Sequence, residues 1–207
     1  MNIFLSWAGE KSKRAAKAFD ECFQFLFRDL DSKIYISTST EKGALWNDRL
    51  IKALDDADFG ILILTKENCA RPSPWMMYEA GVLSKTAGTD HVMTFLLNAR
   101  ASDIPGPVSR FQSTAFDKED MTALVLRIYG LYKQEKNIIN DKNYLPDNEM
   151  KDFFGYLYDR LERELNLIIN LNCDDEENIN EKILAVAEQT LNISRENHEI
   201  LKDLVSN

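Results

Sequence analysis

The sequence is short of the residues that most often give a function away. Three cysteines, two histidines, five prolines and eight glycines are spread over 207 residues. Cys22, Cys69 and Cys173 are odd in number and far apart, which excludes a disulfide framework as the source of stability. With only His91 and His198 beside them, no convincing metal-ligand set forms. No apolar run approaches the roughly 20 residues of a membrane span. Met1–Leu5 has neither a basic flank nor an apolar stretch of signal-peptide length, so the expectation is a cytoplasmic protein without membrane contact. The glycosylation-like Asn192-Ile193-Ser194 is then accidental. Positive charge is scarce as well: 25 Lys and Arg against 34 Asp and Glu give a formal charge of -9. That balance argues against broad nucleic-acid binding through phosphates.

What is present is ordinary globular material, 44% hydrophobic and 29% charged, enough for one large domain or one domain plus an appendage. Ile3 to Trp7 reads as a first strand. A helix follows from about Ser12, with Ala15, Phe19, Cys22, Phe23, Leu26 and Leu30 at helical spacing. Lys33–Ser37 is a second strand, the polar segment from Thr38 to Ala44 a loop, and a second helix from Leu45 carries Trp46, Leu50, Ala53 and Ala57 on its inner stripe. Further strands are expected at Phe59–Leu64, Val92–Leu97 and Ser113–Phe116, and a helix at Met121–Tyr132. Pro105-Gly106-Pro107 bars regular structure between the last two strands. Strands alternating with helices predict an α/β fold, a flavodoxin-like five-stranded parallel sheet covered on both faces. Ligands bind such sheets beyond the C-terminal strand ends, where Ser6-Trp7, the Ser37–Gly43 loop and the start of the Trp75 helix should converge.

The most informative stretch runs from Phe59 to Lys85. Its apolar opening, Phe59 to Leu64, suits a strand buried on both faces. The polar connection Thr65–Arg71 leads to Ser73, a suitable helix cap, and Pro74, a suitable first helical residue. In the helix that follows, Glu79 is the sole charged residue before Lys85, and it shares a face with Trp75 one turn earlier. An acid amid so much apolar surface either reaches solvent or an ion pair, or belongs to a ligand pocket with an aromatic wall.

After Lys133 the character changes. The division expected is 1–133 for the sheet domain, 134–148 for an Asn- and Asp-rich linker, and 149–207 for a helical extension. Phe154, Leu157, Leu161, Leu165 and Ile168 form one side of its first helix. Ile179, Val186, Ile193 and Ile200 recur every seven residues, with Ile183, Thr190, Asn197 and Leu204 between them, a coiled-coil seam over 179–204. Self-association or partner pairing competes there with packing on the chain's own domain.

On these residues the chain resembles the Toll/interleukin-1 receptor (TIR) domains, specifically their bacterial, NAD-consuming branch. Phe4-Leu5-Ser6-Trp7 is similar to the family's first-strand Phe-Ile-Ser-Tyr, Gly43 stands where the family has a glycine in its loop after the second strand, and Trp75-Met76-Met77-Tyr78-Glu79 matches the tryptophan-x-x-x-glutamate motif. The resemblance covers roughly residues 1–133. Ser37 departs from the acidic residue many members carry, and Ala8-Gly9 from the basic residues of some.

The resemblance implies an NAD+ nucleosidase that cleaves the nicotinamide–ribose bond, with NAD+ as substrate and no further cofactor. Glu79 is then the catalytic residue. Ser6, Trp7, Gly9, Gly43, Trp46 and Trp75 are the candidate substrate-binding positions, and Lys42 and Arg49 are candidates for the diphosphate. Trp46 also reads as a core residue, because it shares a stripe with Leu50 and Ala53. Products would be ADP-ribose or a cyclic ADP-ribose isomer, in an anti-phage immune effector or signal synthase activated by oligomerisation. Self-association through the TIR domain and the C-terminal helices, and a sensor or effector protein partner, belong to the same expectation. A non-catalytic TIR adaptor is the alternative from another class, and a nucleoside deoxyribosyltransferase, which also uses one Glu, is a third.

Overall fold

Short apolar runs bounded by polar turns can satisfy their backbone only by pairing with each other, and here they do so in one sheet. The computed structural model of the protein describes residues 1–27, 32–37, 44–104, 106–135 and 146–170, with the side chains of 44–47, 135, 147 and 156 outside that description. In chain order the elements are β1 (Asn2–Ser6), α1 (Glu10–Leu26), β2 (Lys33–Ile36), α2 (Ala44–Asp55), β3 (Phe59–Leu64), α3 (Lys66–Ala70), α4 (Pro74–Thr86), β4 (Val92–Leu96), β5 (Gln112–Ala115), α5 (Lys118–Glu135) and α6 (Asp147–Ile169). The five strands lie in the order β2-β1-β3-β4-β5 and every pairing is parallel. That is the flavodoxin-like doubly wound sheet, whose strand order reverses between β1 and β3.

Two apolar clusters sit on opposite faces of this sheet. On one face Ile3, Leu5, Ile61, Ile63, Met93 and Phe95 meet α1, α5 and α6. On the other, Phe4, Leu62, Leu64 and Leu96 meet Leu50 and Leu54 of α2 and Met76, Ala80 and Leu83 of α4. The alternation along each strand produces this division, since successive side chains leave a strand on opposite sides. β3, in the middle, is buried throughout. α4 comes very close to it at Gly60, where an added Cβ would stand 2.8 Å from Leu83 Cδ1.

The expected elements are present, with boundaries shifted by a few residues. The polar connection after β3 contains one more: α3 is a short helix started by a capping box, in which the Thr65 hydroxyl and the Asn68 side chain each serve the other's backbone N–H. Between β4 and β5 lie two short 3-10 turns, Ala101–Asp103 and Gly106–Arg110, the second of which takes in Gly106 and Pro107. α5 begins earlier than its apolar stripe, because the Asp117 carboxylate accepts from the Asp120 N–H at 2.9 Å.

Residues Met1–Ile169 form one compact unit that includes α6. Phe154, Leu161 and Leu165 of α6 are buried in the same cluster as Phe19 and Phe23 of α1. Lys11 Nζ donates to the Ile169 carbonyl at 3.2 Å, satisfying an end carbonyl of α6 with a cation. The heptad over 179–204 lies outside the described residues. Among the described residues no helix is long and apolar enough to cross a membrane.

Candidate active site

β1 and β2 run in register, Phe4 beside Tyr35 and Leu5 beside Ile36, so Ser6 and Ser37 follow at the same sheet edge. Phe4 and Tyr35 stack with ring centroids 5.2 Å apart on the face that α4 covers. One alternation further along, Ser6 and Ser37 present their hydroxyls to that same face. α4 brings Glu79 to them. Ser73 caps the helix by accepting from the Met76 N–H at 3.5 Å, and Pro74 occupies the first turn as the sequence implies. Met76, Ala80 and Leu83 then seat the helix on the sheet.

The result is an acid held at both oxygens. Ser6 Oγ donates to Glu79 Oε2 at 2.5 Å, and Ser37 Oγ donates to Glu79 Oε1. All three side chains are buried, and Glu79 has no solvent exposure at all. Burial raises the Glu79 carboxyl above its ordinary 4.5, while hydrogen bonding from Ser37, Ser6 and the Trp75 indole pulls the other way without cancelling it. The acid is thus desolvated but supplied with donors, the condition under which a buried carboxylate can stay ionised.

Trp75 is half-buried against the α2/α4 cluster and stands 5.3 Å, centroid to centroid, from the exposed Tyr78. Trp75 lies one turn before Glu79 on the same face, and Tyr78 directly precedes Glu79 in the chain. Tyr78 was not among the sequence candidates, although its place three residues after Trp75 was a legible signal.

The remaining candidates fall elsewhere. Trp7 leaves β1 on the opposite side from Ser6 and is buried with α1, Lys13 Nζ lying 5.3 Å from its ring centroid. Its Nε1–H has no acceptor among the described residues. The structure does not bring it to Glu79. Gly9 is exposed and turns the chain from β1 into α1 at φ 81°, a left-handed angle that favours glycine. Arg49 is exposed on α2. Lys42, Gly43 and the side chain of Trp46 lie outside the described residues.

At the mouth of the same edge, Asn68 Nδ2 donates to the Ala8 carbonyl at 2.6 Å, tying α3 to the turn after β1. His91 lies at the other end of the sheet, Nδ1 3.1 Å from the Asp58 carbonyl just before β3. Cys22 faces a cavity of about 630 Å³ between α1 and α6 rather than Glu79, and burial pushes its thiol up to about 12. Among the described residues no group of three His, Cys, Asp or Glu side chains could hold a metal ion.

No family model matches the chain, and no curated protein matches it.

Proposed function

We propose that the protein is a TIR-type NAD+ nucleosidase whose catalytic residue is Glu79. One observation carries the reading most strongly: a wholly buried carboxylate at the C-terminal edge of a parallel sheet, gripped by two hydroxyls, with Trp75 one turn away. A core acid needed only for packing would be replaceable by an apolar residue, and keeping a desolvated carboxylate is costly. The position is also where doubly wound sheets bind ligands.

The chemistry fits a single acid. Nicotinamide departs as a neutral molecule from a cationic pyridinium, so its departure needs no proton donor. The ribose left behind is oxocarbenium-like, as in glycoside hydrolysis. Glu79 stabilises it with a local negative field and hydrogen bonds to the ribose hydroxyls, and Ser6 orients the carboxylate. Trp75 and Tyr78 offer flat surfaces to a ring of the dinucleotide. Water attack yields ADP-ribose, and internal attack yields a cyclic isomer. Cytoplasmic location, activation by self-association and a sensor or effector partner complete the reading.

The total burial of Glu79 also favours a second reading, a non-catalytic TIR adaptor in which the acid is structural. One experiment separates the two: NAD+ consumption at high protein concentration, with products resolved by mass spectrometry, for wild type and Glu79→Ala. Loss in the wild type alone supports the enzyme. No loss in either, with a molecular crowder present, moves the assignment to the adaptor.

A further inference from the structure

A carboxylate with no exposed surface cannot touch a substrate, so some part of its surroundings must withdraw before it acts. Three elements hold Glu79, and they are not equally free to move. α4 carries the acid itself and is seated by Met76, Ala80 and Leu83, all buried, with Leu83 against β3 at Gly60. Trp75 is on the same helix and moves with it. Ser6 ends β1, a strand paired on both sides, and its register partner Leu62 lies in the wholly buried β3. Freeing Ser6 would disturb the centre of the sheet.

Ser37 is different. It follows β2, which stands at the edge of the described sheet with β1 as its only neighbour among the described strands. Within β2, Lys33 is exposed, and Ile34, Tyr35 and Ile36 pack against the two core clusters without being fully buried, unlike every residue of β3. Among the described residues, the last backbone bond of the ladder is the Ser37 N–H to the Leu5 carbonyl, at 2.9 Å. Strand ends with few buried apolar contacts open locally at low cost, well below the cost of global unfolding.

We infer that Ser37 is the latch of this site: its hydroxyl keeps Glu79 shut, and withdrawal of the β2 end opens the acid to its substrate. The substrate part of this statement rests on the NAD+ reading above; the latch itself does not. The Ser37 bond to Oε1 is given up while Ser6 continues to hold Oε2, so the acid is uncovered without losing its orientation. Water entering beside Oε1 would also relieve the desolvation that now raises its pKa.

The test reads Glu79 access without using turnover. Full-length wild type, Ser37→Ala, Ser37→Thr and Ser6→Ala are labelled with a carbodiimide and an amine, and the Glu79 peptide is quantified by mass spectrometry against the exposed Glu67. Melting curves confirm that each variant is folded. Ser37→Ala should raise Glu79 labelling about tenfold, roughly the equilibrium factor of one hydrogen bond to a charged group. Ser37→Thr keeps the hydroxyl and should stay protected, and Ser6→Ala should change labelling far less than Ser37→Ala. Unchanged labelling in Ser37→Ala, or an equal rise in the two alanine variants, overturns the latch. Should Ser37→Ala fail to fold, Ser37→Gly takes its place under the same criteria. NAD+ consumption is followed in parallel: a labelling rise with no consumption in any variant refutes the nucleosidase reading and leaves the latch standing.

Discussion

Ser6 Oγ lies 2.5 Å from Glu79 Oε2, although 73 residues separate the two in the chain. The contact joins the end of the second-central strand to the middle of a helix packed across the sheet. It exists because strand alternation turns Ser6 toward α4 while Trp7 turns away. A hydroxyl at this place is the cheapest donor that can satisfy a carboxylate without adding charge of its own. Replacing Ser6 by Ala removes this donor from a buried carboxylate at a cost of about 1–3 kcal/mol, measurable by denaturant unfolding.

Glu79→Gln isolates charge from shape. The amide keeps the size of the side chain, and the serine hydroxyls can rotate to accept from its NH2. On the nucleosidase reading, NAD+ consumption should fall roughly 10²–10³-fold, as when a preorganised charge-stabilising group is removed. Stability should move the other way. The folded state raises the Glu79 pKa, so it binds its proton more tightly than the unfolded chain. Glu79 therefore costs nothing in acid, and its penalty grows as pH climbs from about 4.5 through the raised value. Glu79→Gln should melt above wild type at neutral pH and level with it near pH 4, by calorimetry.

The same shift sets the acidic limb of activity. Only the ionised carboxylate stabilises a ribosyl cation, so kcat/KM for NAD+, which reports the free enzyme with Glu79 still shut in, should decline on acidification at a pH above the ordinary 4.5 of a glutamate. A pH–rate profile whose acidic midpoint sits at or below 4.5 would show that the working state hydrates Glu79 before the chemistry.

Gly60 controls how closely the helix that carries Glu79 approaches the sheet. A Cβ there would meet Leu83 Cδ1 at 2.8 Å. That atom ends a flexible side chain, so Gly60→Ala should be mild. Gly60→Val adds two methyls in a filled space and should cost about 1–3 kcal/mol. Because Glu79 lies one turn before Leu83, Gly60→Val should also depress NAD+ consumption beyond what its melting temperature accounts for.

The parallel sheet was legible because its central strand is a bare apolar run and its helices carry regular stripes, signals that need no tertiary knowledge. The Trp75/Glu79 pair was legible for the same reason, being four residues apart on one helix. What escaped depends on pairing. The sequence puts Ser37 at the ligand edge, at the start of the Ser37–Gly43 loop, but it emerges as a partner of Glu79 only once β1 and β2 are in register. Adjacency in the sequence groups Trp7 with Ser6, yet one residue along a strand reverses the face. α3 reads as part of a polar connection because its five residues, KENCA, are too few for a stripe; the Thr65–Asn68 spacing is its one local signal.

The structure also makes α6 a load on the same core as the sheet, and that can be measured. Phe154 is fully buried, its ring edge-on to Tyr158 with centroids 6.1 Å apart, in the cluster that holds Phe19 and Phe23. Those partners belong to α1, which also contributes Lys11 to the end of α6. If α6 is integral to the unit, Phe154→Ala leaves a cavity that α1 cannot collapse into without leaving β-sheet residues such as Phe95 uncovered. The expected cost is about 3–5 kcal/mol, and the melting temperature should drop by roughly 6–20 °C in one cooperative transition. A drop below about 1 °C, or a separate early transition confined to α6, would instead make the helix an independent attachment whose loss leaves the sheet and Glu79 unchanged.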